Sequence, residues 1–235
     1  MKKRVILIIT FLFILTTSIL IITMSLKRNT HIVVAGSFEG IFIVDVKDPL
    51  NPRQVGHLDT YNAYDVQVSG KYAYIADSNN GLVIVDVSDP TNPRQVGHLN
   101  TYNAYDVQVS GKYAYIADSN NGIVIVDVSD PANPRQVGYL DTGGGANGVQ
   151  VSGKYAYVAD SNNGLVIVDV SDPANPKQVG YLDTDGGAIG VHVLNNYAYI
   201  ADDNNVLVIV DVSDPTNPFL VKDISWLTLY GLSGM

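Results

Sequence analysis

Residues 64–100 read YDVQVSGKYAYIADSNNGLVIVDVSDPTNPRQVGHLN, and the fold turns on how this stretch divides. It holds four runs rich in Val, Ile and Tyr: Asp65–Ser69, Tyr72–Ala76, Leu82–Val87 and Arg94–Leu99. β-Branched and aromatic residues suit a pleated, half-buried surface, and turn residues bound each run. Ser69-Gly70-Lys71 joins the first run to the second. Ser78-Asn79-Asn80-Gly81 joins the second to the third as a hairpin, with Gly81 where φ must be positive. Ser88–Pro93 contains Pro90 and Pro93 and cannot continue a strand. The unit is therefore four antiparallel strands, A to D.

Working outward, the unit recurs. The string IVDV places its aspartate at Asp45, Asp86, Asp127, Asp169 and Asp211, at spacings of 41, 41, 42 and 42. Residues 51–90 and 92–131 differ only in Asp59 against Asn100 and Leu82 against Ile123. A four-stranded unit of about 40 residues repeated head to tail is the signature of a β-propeller blade. An open solenoid of sheets would expose long edges that radial closure hides. The expected fold is all-β, a β-propeller of four-stranded antiparallel blades. His31–Gly36, Ile41–Val46 and Arg53–Leu58 supply strands B, C and D of a first blade, and four complete blades follow. Thr228–Ser233 takes the slot of a strand A, giving twenty strands in five blades, the first blade completed by the last strand in a one-plus-three closure. The rival reading is a truncated piece of a longer propeller, because Trp226–Met235 departs from the repeat.

The motif GLVIVDVSDPxNPxxVG, preceded by AYIAD or AYVAD, resembles the LVIVD-repeat β-propeller family over residues 31–232. That family is defined by repeat sequence rather than by a reaction. The resemblance implies a propeller in a secreted or surface protein of bacteria or archaea, and implies little about a ligand.

Composition excludes several chemistries. The 235 residues contain no cysteine, so there is no disulfide scaffold, thiolate nucleophile or Cys-based metal site. A 46% hydrophobic, 16% charged chain does not fit disorder. Lys2, Lys3, Arg4, Lys27 and Arg28 give residues 1–28 a balance of +5, leaving −14 on residues 29–235. A body this acidic repels phosphate backbones, so no nucleic-acid partner is expected. Val5–Met24 is twenty residues without a charge, and as a helix it would span roughly 30 Å, the thickness of a bilayer core. The expectation for residues 1–28 is a signal anchor, a transmembrane helix with a cytoplasmic N-terminus and an extracellular domain over residues 29–235. A cleaved signal peptide is the alternative, and it would make the domain secreted.

Propeller topology puts the D–A and B–C loops on one face and the A–B and C–D loops on the other. The second face carries Lys71, Lys112, Lys154, Arg94, Arg135 and Lys177 beside the Asp of each SDP turn and is near charge balance. The first has almost no bases, and its B–C loops begin at Asp77, Asp118, Asp160 and Asp202, so the negative charge is expected to concentrate there. Its D–A loops supply the candidate binding residues: Tyr61, Asn62, Tyr64 and Asp65, repeated as Tyr102, Asn103, Tyr105 and Asp106, with Asn147 and Asp185 in the Gly-rich loops DTGGGAN and DTDGGAI. Asp65 and Asp106 open strand A, the innermost strand, and are expected to flank the channel mouth; Gly148 and Gly190 take that position next. Tyrosine faces with Asp and Asn partners suit sugars, and the oxygens suit a hard cation such as calcium. The plain alternative is that these tyrosines pack loop on loop and the aspartates cap turns.

Other motifs read as structure. DSNNG lacks the sixth-position Gly and twelfth-position Glu of an EF-hand, so it is a hairpin, and Val206 in place of Gly makes the last such turn differ. No cofactor is expected, and no motif supports calcium. The strand C aspartates stand in every blade, which points to a buried carboxylate bonded to the following Ser-Asp-Pro turn. His57 and His98 share a position with Tyr139 and Tyr181, which suggests half-buried packing, while His192 on a strand A could point into the channel but stands alone, and one histidine does not make a zinc site. No nucleophile elbow, P-loop, Rossmann glycine motif or zinc-protease motif is present. Near-identical blades offer a repeated surface rather than the different groups that catalysis brings together. The expected function is a non-enzymatic binding or scaffold module for a protein or envelope glycan. The alternative is a hydrolase or lyase using Asp65, Asp106 and His192 at the channel mouth.

Overall fold

The computed structural model describes residues 30–225 together with two short strands near the N-terminus, β1 (Phe13–Leu15) and β2 (Ser18–Leu20), which pair antiparallel. The membrane-spanning helix expected over residues 5–24 is not supported: at those six positions the backbone is strand, and the rest of that stretch lies outside the described residues. Among the described residues no helix is long and apolar enough to cross a membrane. The closing strand expected at Thr228–Ser233 also lies outside them.

The repeats form five consecutive blade-like sheets, each a meander whose strand order follows the chain. The first has three strands: β3 (His31–Gly36), β4 (Gly40–Asp45) and β5 (Arg53–Leu58). The second has four: β6 (Asp65–Ser69), β7 (Tyr72–Ala76), β8 (Leu82–Asp86) and β9 (Arg94–Leu99). The third comprises β10 (Ala104–Ser110), β11 (Tyr113–Asp118), β12 (Gly122–Asp127) and β13 (Arg135–Leu140). The fourth comprises β14 (Ala146–Ser152), β15 (Tyr155–Asp160), β16 (Gly164–Asp169) and β17 (Lys177–Leu182). The fifth comprises β18 (Ala188–Leu194), β19 (Tyr197–Asp202), β20 (Asn205–Asp211) and β21 (Phe219–Ser225). All pairings within these sheets are antiparallel, with a register shift in the outer pair of every sheet, as between Ile84 and Val85.

The third strands of the second, third and fourth sheets, β8, β12 and β16, are continuous apolar runs because both of their faces are covered. Leu82 and Ile84 point forward and pack with Val107, Ile116, Val124 and Val126 of the third sheet. Val83 and Val85 point back and pack with Val33, Ala35, Ile41 and Ile43 of the first. Four such cores lie between successive sheets. Each buries its Ile, Leu and Val side chains almost completely, and burial on this scale is the dominant favourable term in folding.

A second contact joins the sheets at their outer edge. The glycine of each VG(H/Y)L strand lies under the DPxNP turn of the following sheet: Gly56 under Pro90, Gly97 under Pro131, Gly138 under Pro173 and Gly180 under Pro215. A methyl group at any of these glycines would run into the proline carbonyl oxygen. The glycine and the diproline turn are therefore two halves of one blade-to-blade contact. The fifth sheet breaks this pattern. Its strand β21 has Lys222 opposite Ile209, the place Gly180 holds opposite Ile167. Its B–C turn has Val206 where the other sheets have Gly40, Gly81, Gly122 and Gly164 at φ between 71° and 78°. As the substitution requires, Val206 does not adopt a positive φ, and β20 begins earlier, at Asn205.

Candidate functional site

The D–A and B–C loops are built around one repeated carboxylate. Asp77, Asp118, Asp160 and Asp202 end the second strands and are 0%, 0%, 0% and 4% exposed. Asp77 accepts from the Thr60 hydroxyl (2.9 Å), from the Tyr61 and Asn62 backbone N–H groups (3.0 and 2.6 Å) and from Asn80 Nδ2 (2.8 Å). Asp118 accepts from the Tyr102 and Asn103 N–H groups and from Asn121 Nδ2, at 2.8, 2.9 and 3.0 Å. Thr142 and Thr184 donate to Asp160 and Asp202 at 2.5 and 2.6 Å. A buried ionised group persists only when its acceptors are filled, and here loop donors fill them. The negative charge expected on this face is thus partly turned inward, where it clamps each D–A loop. The sequence signal for this clamp is Asp-Ser-Asn-Asn, with a Thr on the preceding D–A loop.

The clamp decides which candidate residues face outward. Tyr61 and Tyr102 are each 62% exposed, on loops whose backbone it pins. Asn62 is buried and accepts from the Phe38 N–H at 3.1 Å, tying the loop to the first sheet. Asn103 accepts from the Ser78 hydroxyl at 3.1 Å and donates to the Tyr105 hydroxyl at 3.3 Å. Tyr64 and Tyr105 stand edge to face with ring centroids 4.7 Å apart. Asn147 donates to the Ala188 carbonyl at 2.9 Å. Asp185, exposed with φ 62°, has its N–H held by Asp183 at 2.9 Å.

Asp65 and Asp106 link neighbouring inner strands. Asp65 accepts from the Val107 N–H at 3.2 Å and Asp106 from the Val149 N–H at 2.8 Å. Gln67 accepts from Val109 N–H, Gln108 from Val151 N–H, and Gln150 from Val193 N–H at 2.6 Å, making a second row of ties. The carboxyls of Asp65 and Asp106 also hydrogen-bond to each other. Burial of the Asp106 carboxyl, followed by the charge and hydrogen bond of Asp65, pushes Asp106 well above the usual carboxylate range, against donation from Val149 and Val107. In the next two sheets direct approach replaces the carboxylates: a methyl group at Gly148 would lie 3.1 Å from the Gly190 Cα. His192 takes the glutamine position in the fifth sheet and is exposed, two sheets from Asp106.

One expectation needs correction and another holds in part. The strand C aspartates are half-buried rather than buried, although they do bond to the following turn: Asp86, Asp127, Asp169 and Asp211 accept from the N–H groups of Ser88, Ser129, Ser171 and Ser213 at 2.8–2.9 Å. The serine hydroxyl and N–H hold Asp86 below its usual range, with Lys71 adding to this from 3.4 Å. His57 and His98 are exposed as residues, each Nε2 donating at 2.7 Å to a B–C turn carbonyl, Glu39 or Asn80, yet the His57 ring packs as expected, stacked on Phe42 with ring centroids 4.6 Å apart. Among the described residues no three His, Asp or Glu side chains are grouped to hold a metal ion.

Known proteins resemble this arrangement in two ways. A chain of the mitotic checkpoint complex crystal structure superposes with a TM-score of 0.72 at 10% identity, over 89% of this chain and 65% of that one. The computationally designed Ika8 protein superposes with a TM-score of 0.64 at 9% identity, over 85% of this chain and 60% of that one. The chain thus spans less than two thirds of either, and the likeness is one of fold. No curated protein matches the sequence. The LVIVD repeat pattern matches four consecutive stretches, residues 62–101, 103–142, 143–184 and 185–225, and on that match the chain belongs to the LVIVD repeat family.

Proposed function

We propose that this chain is a non-catalytic binding or scaffold module, displayed outside the cell, whose D–A/B–C loop face takes a protein or an envelope glycan. One observation carries the reading: Tyr61 and Tyr102 are large, exposed aromatics on loops fixed from beneath by buried Asp77 and Asp118. Exposed tyrosines with little conformational freedom to lose are good binding groups. The repeat-against-repeat framework supports the scaffold role, because each sheet leans on its neighbours and leaves a continuous surface of loops. The uncharged stretch 5–24 between basic flanks supports attachment to a membrane. A hydrolase or lyase reading is weaker. Asp65 and Asp106 are engaged with backbone N–H groups of the next strand, and His192 stands two sheets away from Asp106.

The test is co-sedimentation of the full chain with envelope fragments from the cells that express it, with and without protease treatment of the fragments. Saturable binding that Tyr61→Ala with Tyr102→Ala abolishes is the expected result. Binding that the double variant retains contradicts the site.

A further inference from the structure

The third sheet carries a cleft on its loop face. It has a volume of about 460 Å³, within the range of small-molecule sites. The β9–β10 loop supplies Asn100, Thr101 and Tyr102, the β11–β12 turn supplies Asn121, and outer strand β13 supplies Gln136 and Tyr139. Two exposed tyrosines line it, at 62% and 44% exposure, with three carboxamides and a threonine.

Thr101 is the exception in an otherwise regular clamp. Thr60, Thr142 and Thr184 each donate their hydroxyl to the aspartate beneath. Among the described residues, Thr101 Oγ1 is the buried side-chain oxygen or nitrogen that has no hydrogen-bond partner. Buried polar groups are nearly always satisfied, so the clamp of the third sheet departs from the others at Thr101; this hydroxyl is closed off from the cleft and is not a ligand contact.

The neighbouring repeats carry different residues at the corresponding positions. At the corresponding positions the second sheet has Asp59, Tyr61 and His98, and His98 is tied to the Asn80 carbonyl at 2.7 Å. The fourth has Asp141, Gly143 and Tyr181. Only the third combines a neutral Asn100 with two tyrosines, and Asp59 against Asn100 is one of the two differences between the near-identical stretches 51–90 and 92–131. No charged residue lines the cleft. Burial, followed by the charges of Asp141 and Asp118, raises the Tyr139 phenol. Asp118 is engaged by the loop it clamps. An anionic ligand would find carboxylates and no base; a cation would find no ionised ligand in the wall.

We propose that this cleft binds a neutral saccharide unit. Carboxamides both donate and accept, which matches hydroxyl groups that do the same. Tyrosine faces cover the apolar C–H face of a pyranose ring. The assignment deepens the proposed binding role and rests on it.

The test titrates the full chain with cellotetraose, maltotetraose and chitotetraose, followed by saturation-transfer NMR and calorimetry. Saturable binding of at least one of them is expected, weakened tenfold or more by Tyr139→Ala and by Tyr102→Ala, and unchanged by Tyr181→Ala, the same position one sheet on. Gln136→Leu removes a carboxamide from the wall and is expected to weaken binding severalfold, while Thr101→Val removes the orphan hydroxyl at constant shape and is expected to raise the melting temperature. Absence of binding to all three, or binding that Tyr139→Ala leaves intact, overturns the cleft. If Tyr139→Ala has no effect on the saccharides while the Tyr61/Tyr102 double variant still loses envelope binding, the cleft falls and the wider loop-face role stands.

Discussion

Replacing Gly97 by alanine tests how the sheets hold together. The added Cβ would lie 3.1 Å from the Pro131 carbonyl carbon and 3.3 Å from Pro134 Cδ, with the Pro131 oxygen aimed at it. A C=O bond is about 1.2 Å long, so the oxygen stands well inside the 3.4 Å at which ordinary contact begins. The third sheet's turn must therefore back away by on the order of an ångström. Backing away loosens the core in which Leu82 and Ile84 pack on Val107 and Val124. Overpacking costs about 1–3 kcal/mol, and because the obstacle here is backbone, a loss of about 3 kcal/mol is expected. That is roughly a hundredfold in the folded-to-unfolded ratio. The assay is urea denaturation of the full chain followed by far-UV circular dichroism. Gly190→Ala is the control: its Cβ meets nothing within 4 Å and its φ is not positive. A Gly97→Ala variant as stable as Gly190→Ala would refute the reasoning, since the outer-edge contact would then carry no weight.

Two further outcomes follow from the same structure. Asp106 keeps its proton in the folded state above the ordinary value of 3.8, so the folded chain binds more protons than the unfolded chain across the window between 3.8 and its raised value. Its contribution is therefore fully present at low pH and is lost as pH rises through that window; Asp106→Asn, which keeps a donor for Asp65 and an acceptor for Val149, is expected to flatten this fall in a pH series of melts. Tyr61→Ala with Tyr102→Ala removes exposed rings and is expected to shift stability by no more than about 0.5 kcal/mol per site, so its loss of envelope binding, checked beside an unchanged melt, reports on the surface and not on the fold.

The repeat was legible because its period and its strands share one physical cause. LVIVD is apolar at every position through Val85 since both faces of β8 are covered, and the prolines of the SDPxNP turn fix where the strand stops. The sheet boundaries follow, with β6, β7 and β9 at the expected residues. The outer-edge contact was not legible in this way. Gly97 and Pro131 lie in different repeats, and their meeting depends on the rotation from one sheet to the next. The D–A loop residues were legible as a group, but their separate roles were not. Tyr61 and Asn62 are adjacent, yet one is exposed and the other buried, because Asp77 holds both of their N–H groups and the turn sends alternate side chains in and out. Thr101 shows the limit most clearly. Its sequence surroundings nearly duplicate those of Thr60, and only the geometry separates a satisfied hydroxyl from an orphan.

Hydrogen exchange on the full chain, with and without saturating envelope fragments, tests the loop-face assignment most directly. The account predicts added protection in the β5–β6 and β9–β10 loops, at Thr60–Asn62 and Thr101–Asn103, with the SDPxNP turns of the opposite face unchanged. Protection confined to those turns, or spread equally over both faces, would contradict it.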